Sequence, residues 1–367
     1  MVSAVLAEAV GAKEVGVLLA DYGEVTLERV ALDGGADETA SVSIDSSAAG
    51  RAFLSQRPVD DVDDRGQRVY FPVTVRAERI GVLDVLLPQT PSPELREELQ
   101  RAAIIVGYVV AIARRYTDLF ERVRRRRDLN LAAEIQWDLL PVLAYEGDEL
   151  SVAGALEPAY AIAGDSFDYA VEADQLHVAI TDGMGHGLRA ALLGSLAVAA
   201  LRHARRRSRD VLAQVKEANQ VVHDQFGGDQ FVTATLASVD VSSGEMRVVN
   251  AGHPQPWLAR RDSVSELDLF ADYPLGLFLG VDYRQQGLHL EPGDRILLVS
   301  DGVIEASSPD GDEFGDERLR GLVAATRDVL PTEAVRRITR AVIDHRQAPL
   351  RDDATVVCLD WRPRHRR

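Results

Sequence analysis

The hydrophobic and polar positions of the first 88 residues predict a mixture of short strands and helices. A helix is predicted at residues 2–10, and the apolar residues 15–20 predict a short buried strand. Two β-rich runs at 68–75 and 80–87 are joined by a short polar turn, which is typical of a hairpin. A short helix is predicted at 47–54, between the strand and the hairpin. This part of the chain therefore has the pattern of a small α+β domain.

A helical pattern replaces the strand pattern at residues 92–140. Ser92, Pro93 and Glu94 form a helix start, with a capping hydroxyl, a proline at the first helical position and an acid in the first turn. Apolar residues three or four apart then predict one amphipathic stripe, made of Leu95, Leu99, Ala102, Val106, Val109, Ala113, Tyr116, Phe120 and Val123. A second helix is predicted at 129–140, where one face carries Leu131, Ile135 and Leu139.

The remainder of the chain, from about residue 148, is rich in predicted strands. Two helices are predicted within it, at 188–206 and 209–226. The strands are predicted at 150–156, 166–171, 176–181, 231–241, 246–249, 257–260, 295–300 and 354–359. Because the strands outnumber the helices and tight turns join many of them, we expect packed antiparallel sheets with helices outside.

Length, composition and charge narrow the class of protein. The 367 residues predict two or three folding units, and no apolar run approaches the ~20 residues of a membrane span. The N-terminus has no basic leader before an apolar stretch, so we expect a cytoplasmic protein. The formal charge of −17 disfavours nucleic acid as the main partner, and Cys358, the single cysteine, excludes an internal disulfide and most zinc sites.

Carboxylates stand at the ends of several predicted strands. Asp182 and Asp301 each follow an apolar strand, the pair Asp352 and Asp353 precedes another, and Asp165 lies just before a fourth. A charge at a sheet edge is costly unless water or a cation compensates it. Oxygen ligands without cysteine or a histidine set favour Mg²⁺ or Mn²⁺ over zinc. Each Asp-Gly pair alone is typical of a turn; several converging acids would need a cation.

Taken together and in order, the motifs of this region resemble the SpoIIE/RsbU branch of the metal-dependent Ser/Thr protein phosphatases. A lead-in, AEIQWDLLP at 133–141, is also typical of this branch. The matching motifs are AGDSFD at 163–168, DGMGHG at 182–187, FVTAT at 231–235, VNAGHP at 249–254, LGLFLG at 275–280, PGD at 292–294, SDGVIEA at 300–306 and RDDATV at 351–356.

The resemblance implies an αββα sandwich with a centre of two Mn²⁺ or Mg²⁺ ions that activate a water molecule. By motif position, Asp182 bridges both metals, the Gly183 carbonyl binds one, and Asp301 and Asp352 complete the other. Asp165 holds metal-bound waters or a weaker third metal, and Asp353 is a further candidate ligand. The catalytic set is therefore Asp182, Asp301, Asp352 and Asp165, all present in this chain. A centre of this kind clamps an in-line phosphoryl displacement without a protein nucleophile.

The N-terminal region resembles GAF domains, a family of small-molecule sensors, through AGRAF at 49–53 and RIGVLD at 79–84. No His or Cys precedes His177, which excludes the usual haem ligands and the thiol that attaches a bilin. The ligand is then a diffusible small molecule or a partner protein.

The predicted fold class is α+β, with a C-terminal αββα-sandwich phosphatase preceded by a GAF-like sensor and a helical linker. The predicted boundaries are 1–90 for the sensor, 91–145 for the linker, 146–362 for the phosphatase and 363–367 for a basic tail. Because a long helix with one apolar face needs a partner, we expect the linker to form a parallel homodimer.

The expected substrate comes from the resemblance alone. Phosphatases of this branch act on phosphorylated anti-anti-sigma (STAS) proteins in partner-switching control of transcription. A STAS protein is therefore the expected partner, as a separate chain, and no membrane partner is expected.

The sequence also allows two other interpretations of the function. Cys358 and Arg364 have the C-x5-R spacing of cysteine phosphatases, but the segment lacks glycine and contains Pro363, so a buried Cys358 is favoured. A non-catalytic scaffold that signals through the helical linker is the second alternative. Asn250 and His253 are expected to stabilise a turn rather than act in catalysis, and His186 is expected to cap a helix.

Overall fold

The computed structural model describes residues 2–30, 41–63, 65–125, 128–157, 164–172, 174–347 and 353–363. The chain forms two compact units, Met1–Asp128 and Leu129–Arg367. Helices of the predicted linker occur in both units. Within the described ranges, every helix is too short or too polar to cross a membrane.

The first unit is a six-stranded antiparallel sheet with helices packed against it. The strand order is β3-β2-β1-β6-β5-β4, and β5 and β6 form the predicted hairpin. Its elements are α1 (Val2–Val10), β1 (Glu14–Ala20), β2 (Thr26–Arg29), β3 (Val42–Ser43), α2 (Ala48–Ser55), β4 (Val59–Asp63), β5 (Gly66–Val75), β6 (Glu78–Leu87), α3 (Pro93–Ala113) and α4 (Leu119–Arg124).

Helix α3 begins as the sequence predicts and buries a different stripe. Ser92 is its N-cap, with the side chain accepting a hydrogen bond from the Leu95 amide, and Pro93 stands in the first turn. The face packed in the unit carries Leu99, Ala103, Val106, Gly107 and Val110. The predicted stripe is therefore wrong at Val109, which is 43% exposed, and the helix ends at Ala113 instead of continuing into α4. A helix repeats every 3.6 residues, so spacings of 4, 3 and 4 along 99, 103, 106 and 110 stay on one face.

The second unit contains the helices and strands from α5 to β17. Its elements are α5 (Leu131–Leu139), β7 (Ala144–Glu146), β8 (Leu150–Glu157), β9 (Asp165–Val171), β10 (Gln175–Gly183), α6 (Leu188–Arg207), α7 (Val211–Phe226), β11 (Val232–Asp240), β12 (Glu245–Ala251), β13 (Trp257–Arg260), β14 (Ser263–Glu266), β15 (Gln286–His289), β16 (Arg295–Val299), α8 (Asp301–Ile304), α9 (Gly315–Ala325), α10 (Pro331–Arg346) and β17 (Ala354–Trp361). In α5 the buried residues are Ala132, Ala133 and Gln136. The predicted apolar face is wrong at Leu131, which is 63% exposed, whereas Ile135 is half-buried against Ala132 and Ala191.

Two antiparallel sheets face each other in this unit, and helices cover their outer sides. One sheet has the order β15-β12-β11-β10-β9 and the other β14-β13-β16-β17-β8-β7. Helices α6 and α7 pack on the first sheet, and α10 packs on β8 and β17 of the second. The layer between the sheets is apolar and includes Phe167, Ile180, Leu298 and Val357. This arrangement is the predicted αββα sandwich.

Candidate metal centre

The inner layer of the sandwich changes from apolar to polar at one end of the strands. Alternate residues of a strand lie on the same face of its sheet, so the residue two places from a core residue also faces the inner layer. At this end, each strand carries a polar residue two places from a core residue, on the same face. The core and polar residues pair as Phe167 with Asp165, Ile180 with Asp182, Leu298 with Ser300, and Val357 with Thr355, and Asp353 lies two places beyond Thr355. We call these polar residues, at this end of the inner layer, the polar edge.

Asp165 and Asp182 lie directly opposite each other on β9 and β10. Opposed residues of an antiparallel pair have Cβ atoms about 4.5–5.5 Å apart, so two carboxylates are brought together. Burial, and then the charges of Asp182 and Asp353, raise the pKa of Asp165 well above its usual value. Such a group of buried acids favours a bound cation, which would stabilise the charged form.

Asp182 and Gly183 are the last two residues of β10, where backbone segments approach closely. The Gly183 amide donates to the Gly164 carbonyl at 3.0 Å. A Cβ at Gly164 would lie 3.0 Å from the Gly183 oxygen, so glycine permits this approach. The two predicted metal ligands, Asp182 and the Gly183 carbonyl, are therefore both at the polar edge.

Asp301 lies beside the start of β17, which Asp353 directly precedes. The Ser300 amide donates to the Thr355 carbonyl at 3.0 Å, and the Thr355 amide donates to Ser300 Oγ at 2.9 Å. A Cβ at Gly302 would lie only 1.9 Å from the Asp353 carbonyl oxygen. These contacts hold the first turn of α8, with Asp301 as its first residue, against the start of β17.

Asp353 is buried and its carboxylate is used within the protein. Its Oδ2 accepts hydrogen bonds from Gln136 Nε2 at 2.9 Å and from the Asp165 amide at 3.2 Å. These bonds favour a role in positioning Asp165 over a role as a metal ligand. Asp352, the other member of the pair, lies within 348–352, outside the described residues.

Gln136 is a residue of this site that sequence reasoning missed. It is 3% exposed on α5, and its Nε2 donates to the Asp165 carbonyl at 2.7 Å as well as to Asp353 Oδ2. The apolar face predicted for this helix, at Leu131, Ile135 and Leu139, does not include Gln136. The available signal was its place in the lead-in motif at 133–141.

The other acid of the AGDSFD motif, Asp168, has a structural role. Its Oδ1 accepts from Arg202 Nη2 at 2.8 Å and its Oδ2 from Arg205 Nη1 at 2.7 Å. Arg202 Nη2 also donates to the Leu139 carbonyl at 2.7 Å. Asp168 therefore fixes α6 to β9 and, through Arg202, to the end of α5.

The expected turn role of Asn250 is confirmed, and the expected capping role of His186 is wrong. Asn250 Nδ2 donates to the His253 carbonyl and Asn250 Oδ1 accepts from the His253 amide, both at 2.8 Å. The His253 ring does more than stabilise the turn, because its Nδ1 lies 2.9 Å from Thr233 Oγ1. His186 is exposed, and the N-cap of α6 is Gly187, without a side-chain capping bond.

Cys358 is buried in the second sheet of the sandwich, as expected. It is fully buried in β17, opposite Leu297 and Ala153 on the neighbouring strands. Burial raises the pKa of its thiol, which disfavours the thiolate that a cysteine phosphatase requires. Arg364 lies outside the described residues. The cysteine-phosphatase alternative is therefore not supported.

The donor set of the polar edge fits a hard divalent cation. Among the described residues, no group of three or more His, Cys, Asp and Glu side chains forms a complete metal cage, and Asp352 falls outside them. Asp165 Oδ2 is buried at this edge without a hydrogen-bond partner in the described ranges, as is Thr235 Oγ1 in the adjoining row opposite Ile180. Buried oxygen atoms of this kind are bound by waters or a cation, and carboxylate and carbonyl oxygens suit Mg²⁺ or Mn²⁺.

Comparison with known proteins identifies the family of the second unit. The profile of the family Stage II sporulation protein E (SpoIIE) matches residues 172–362. The phosphoserine phosphatase RsbU of Bacillus subtilis (strain 168) is 26% identical over 282 residues, which cover 76% of this chain and 83% of RsbU.

Two solved structures have the same sandwich. The SiaA-PP2C domain of Pseudomonas aeruginosa has a TM-score of 0.54 and 26% identity, covering 64% of this chain and 94% of that domain. The RsbU and RsbW domains of Rv1364c from Mycobacterium tuberculosis have a TM-score of 0.50 and 26% identity, covering 60% of this chain and 62% of theirs. With the family profile matching more than half of its length, the chain belongs to the SpoIIE family of PP2C-type serine/threonine phosphatases.

Proposed function

We propose that this chain is a metal-dependent phosphoprotein phosphatase that acts on phosphoserine or phosphothreonine. The observation that carries the proposal is the opposed pair Asp165 and Asp182 at the polar edge, with Asp301 and Asp353 held beside each other across the sandwich. Membership of the SpoIIE family and the 26% identity to the phosphoserine phosphatase RsbU support the same reaction.

The residues that would hold two Mn²⁺ or Mg²⁺ ions are Asp182, the Gly183 carbonyl, Asp301 and Asp352, with Asp165 as the weaker ligand. Bound metal ions lower the pKa of a coordinated water and stabilise negative charge on a transferring phosphoryl group. The chain itself supplies the oxygen donors, orients them from strand ends that are fixed by the sheets, and excludes water from the apolar layer behind them. Gln136 and Asp353 hold the backbone of Asp165 in place.

The test of catalysis is hydrolysis of p-nitrophenyl phosphate with and without Mn²⁺. We expect activity that EDTA abolishes, that Asp182→Asn reduces to background, and that Cys358→Ser retains. Asp310→Asn, an exposed acid in a turn, is the matched control and should keep the wild-type rate. Equal rates for wild type and Asp182→Asn would refute the proposal and favour the non-catalytic scaffold.

We propose a phosphorylated STAS-type protein as the substrate, within a partner-switching pathway that regulates a sigma factor. The support is the similarity to RsbU and to a structure in which RsbU and RsbW domains occur together. The experiment is release of phosphate from a panel of phosphorylated STAS proteins of the same genome, with Asp182→Asn as the inactive control. Hydrolysis of p-nitrophenyl phosphate but of no panel member would refute this substrate and leave the catalytic proposal standing.

We propose that the first unit is a GAF-like sensor and that the chain forms a homodimer through α3. Six apolar or aromatic residues of this helix and the turn after it are exposed, and each lies three or four residues from another: Ile104, Ile105, Tyr108, Val109, Ile112 and Tyr116. This stripe lies beside the face that packs inside the unit, and its own positions carry no charge, so a second copy can cover it. Ile112→Asp should give a monomer in sedimentation velocity, whereas Gln100→Asp, at an exposed polar position of the same helix, should leave the dimer intact.

A further inference from the structure

Exposed apolar side chains cluster on the loop between β14 and β15 of the second unit. Tyr273, Phe278 and Leu279 are 58%, 49% and 51% exposed, and the rings of Tyr273 and Phe278 are in edge-to-face contact with their centroids 5.0 Å apart. We call these three residues the aromatic patch. Phe270 of the same loop is left out of it, because the Arg284 guanidinium lies over its ring, 4.2 Å from the centroid. Clustered exposed side chains of this size are typical of a surface that binds a partner.

The loop that carries the patch is joined to the polar-edge end of the first sheet. Leu275 and Val232 exchange both backbone hydrogen bonds, at 2.8 and 2.9 Å, and Val232 lies opposite Gly183 on β10. Neighbouring strands lie about 4.7–4.9 Å apart, so two such steps place Leu275 about 10 Å from Gly183. The patch begins two residues before Leu275, at Tyr273. It therefore lies on the same end of the sandwich as the proposed metal centre, a few residues' length away.

Helix α7 holds this loop in one conformation. Asn219 Oδ1 accepts a hydrogen bond from the Gly276 amide at 2.8 Å, and Asn219 Nδ2 donates to the Phe278 carbonyl at 3.0 Å. Gly276 has a φ of 87°, and a Cβ there would lie 2.3 Å from Val222 Cγ1, so glycine permits the loop to pack on the helix. The aromatic patch is thus preformed, and a partner that binds it does not have to order the loop first.

A phosphorylated residue that reaches the metal centre brings its neighbours in the substrate chain close to this loop. An extended chain advances about 3.3–3.6 Å per residue, so a residue about three or four positions away spans the distance from Gly183 to Leu275. The patch offers aromatic and aliphatic surface, which binds apolar side chains. We propose that the aromatic patch determines substrate specificity by binding an apolar residue of the phosphoprotein, about three or four positions from its phosphorylated serine or threonine; this inference rests on the proposed phosphatase function.

The test uses synthetic phosphoserine peptides and the Mn²⁺-loaded full-length chain. The parent peptide has only glycine and serine around the phosphoserine, and in each further peptide one leucine replaces one residue, at increasing separation on either side. A leucine about three or four positions away, on one side, should raise kcat/KM about five- to twentyfold over the parent, the effect of one well-packed apolar contact. A kcat/KM that does not depend on the position of the leucine would overturn the proposal.

Substitutions in the patch then assign this preference to it. Tyr273→Ser and Phe278→Ser should each remove most of the gain from the leucine. Their rates with the parent peptide and with p-nitrophenyl phosphate should stay within about twofold of wild type, because neither substrate presents an apolar residue to the patch. The matched control is Leu330→Ser, since Leu330 is 44% exposed and precedes α10 on the outer side of the second sheet. This control should keep the full preference for leucine.

The outcomes separate this inference from the function on which it rests. A wild type that is inactive on p-nitrophenyl phosphate would refute the phosphatase proposal, whereas an active wild type whose leucine preference survives in Tyr273→Ser and Phe278→Ser would refute only the role of the patch. A second copy of the chain is the alternative occupant, so a smaller species of either variant in sedimentation velocity would also overturn the inference. If Phe278→Ser does not fold, Tyr273→Ser and Leu279→Ser decide between these outcomes.

Discussion

Replacing Gln136 by alanine tests whether α5 supports the polar edge. In the structure, Gln136 Nε2 donates to the Asp165 carbonyl at 2.7 Å and to Asp353 Oδ2 at 2.9 Å, and the residue is buried. Gln136→Ala leaves both acceptors buried without this donor, and Asp353 keeps only the longer bond from the Asp165 amide, at 3.2 Å, among those described above. Each buried acceptor that loses its partner costs about 1–3 kcal/mol.

Two such losses lower the free energy of unfolding by about 2–6 kcal/mol. The matched control is Gln214→Ala, because Gln214 is also buried on a helix but, among the described residues, its side chain donates only to the Ser208 carbonyl, at 3.0 Å. Urea denaturation should show the larger loss for Gln136→Ala. Because a displacement of about 1 Å at a reacting centre can cost 10²-fold, Mn²⁺-dependent kcat should fall about 10- to 100-fold in Gln136→Ala and stay within about twofold in Gln214→Ala. Equal effects of the two substitutions on stability and kcat would refute the reasoning.

Three further substitutions test other parts of the second unit. Gly302→Ala places a methyl group 1.9 Å from the Asp353 carbonyl oxygen, so we expect a loss of about 1–3 kcal/mol and of activity; a stable, fully active variant would contradict this packing. Arg295→Met leaves Asp360 buried without its main partner, so urea denaturation should show a loss of about 3–5 kcal/mol, and a loss below about 1 kcal/mol would contradict it. Burial lowers the pKa of His177, so the unfolded chain binds a proton below about pH 6.5 that the folded protein excludes, and stability is lost as the pH falls through this value. His177→Leu should therefore lose less stability than wild type between about pH 7.5 and 5, and a parallel loss would exclude this role.

The sandwich could be predicted largely from the sequence because its strands carry strong local signals. The strand at 176–181 and the strand at 354–359 are short apolar runs next to turn residues, and both occur where predicted, as β10 and β17. The same pattern located the acids, since Asp182 and Asp353 adjoin these runs. Alternation then brings them to the inner layer without any long-range information.

Helices and side-chain partners were harder to predict, because packing decides them. In α5, Leu131 is exposed and Gln136 is buried, because the Asp165 carbonyl and the Asp353 carboxylate beneath the helix need a hydrogen-bond donor. Helices α9 and α10 were not predicted at all, although α10 covers the second sheet. The partner of His253 was equally hidden, because Thr233 is 20 residues away and meets it only through the strand register.

At the polar edge of the second unit, the residues that the proposed reaction needs destabilise the folded state. Elsewhere in the inner layer, neighbouring strands place apolar residues opposite each other, so sheet pairing and burial both stabilise the fold. At the edge, the same register places Asp165 opposite Asp182, and burial together with like charge raises the pKa of Asp165. An apolar or amide pair at these positions would satisfy the sandwich better, so the acids fit the proposed cation site better than a purely structural role. The strand register that makes the pair costly is also what brings the two carboxylates to neighbouring positions on one face, as the proposed cation site requires.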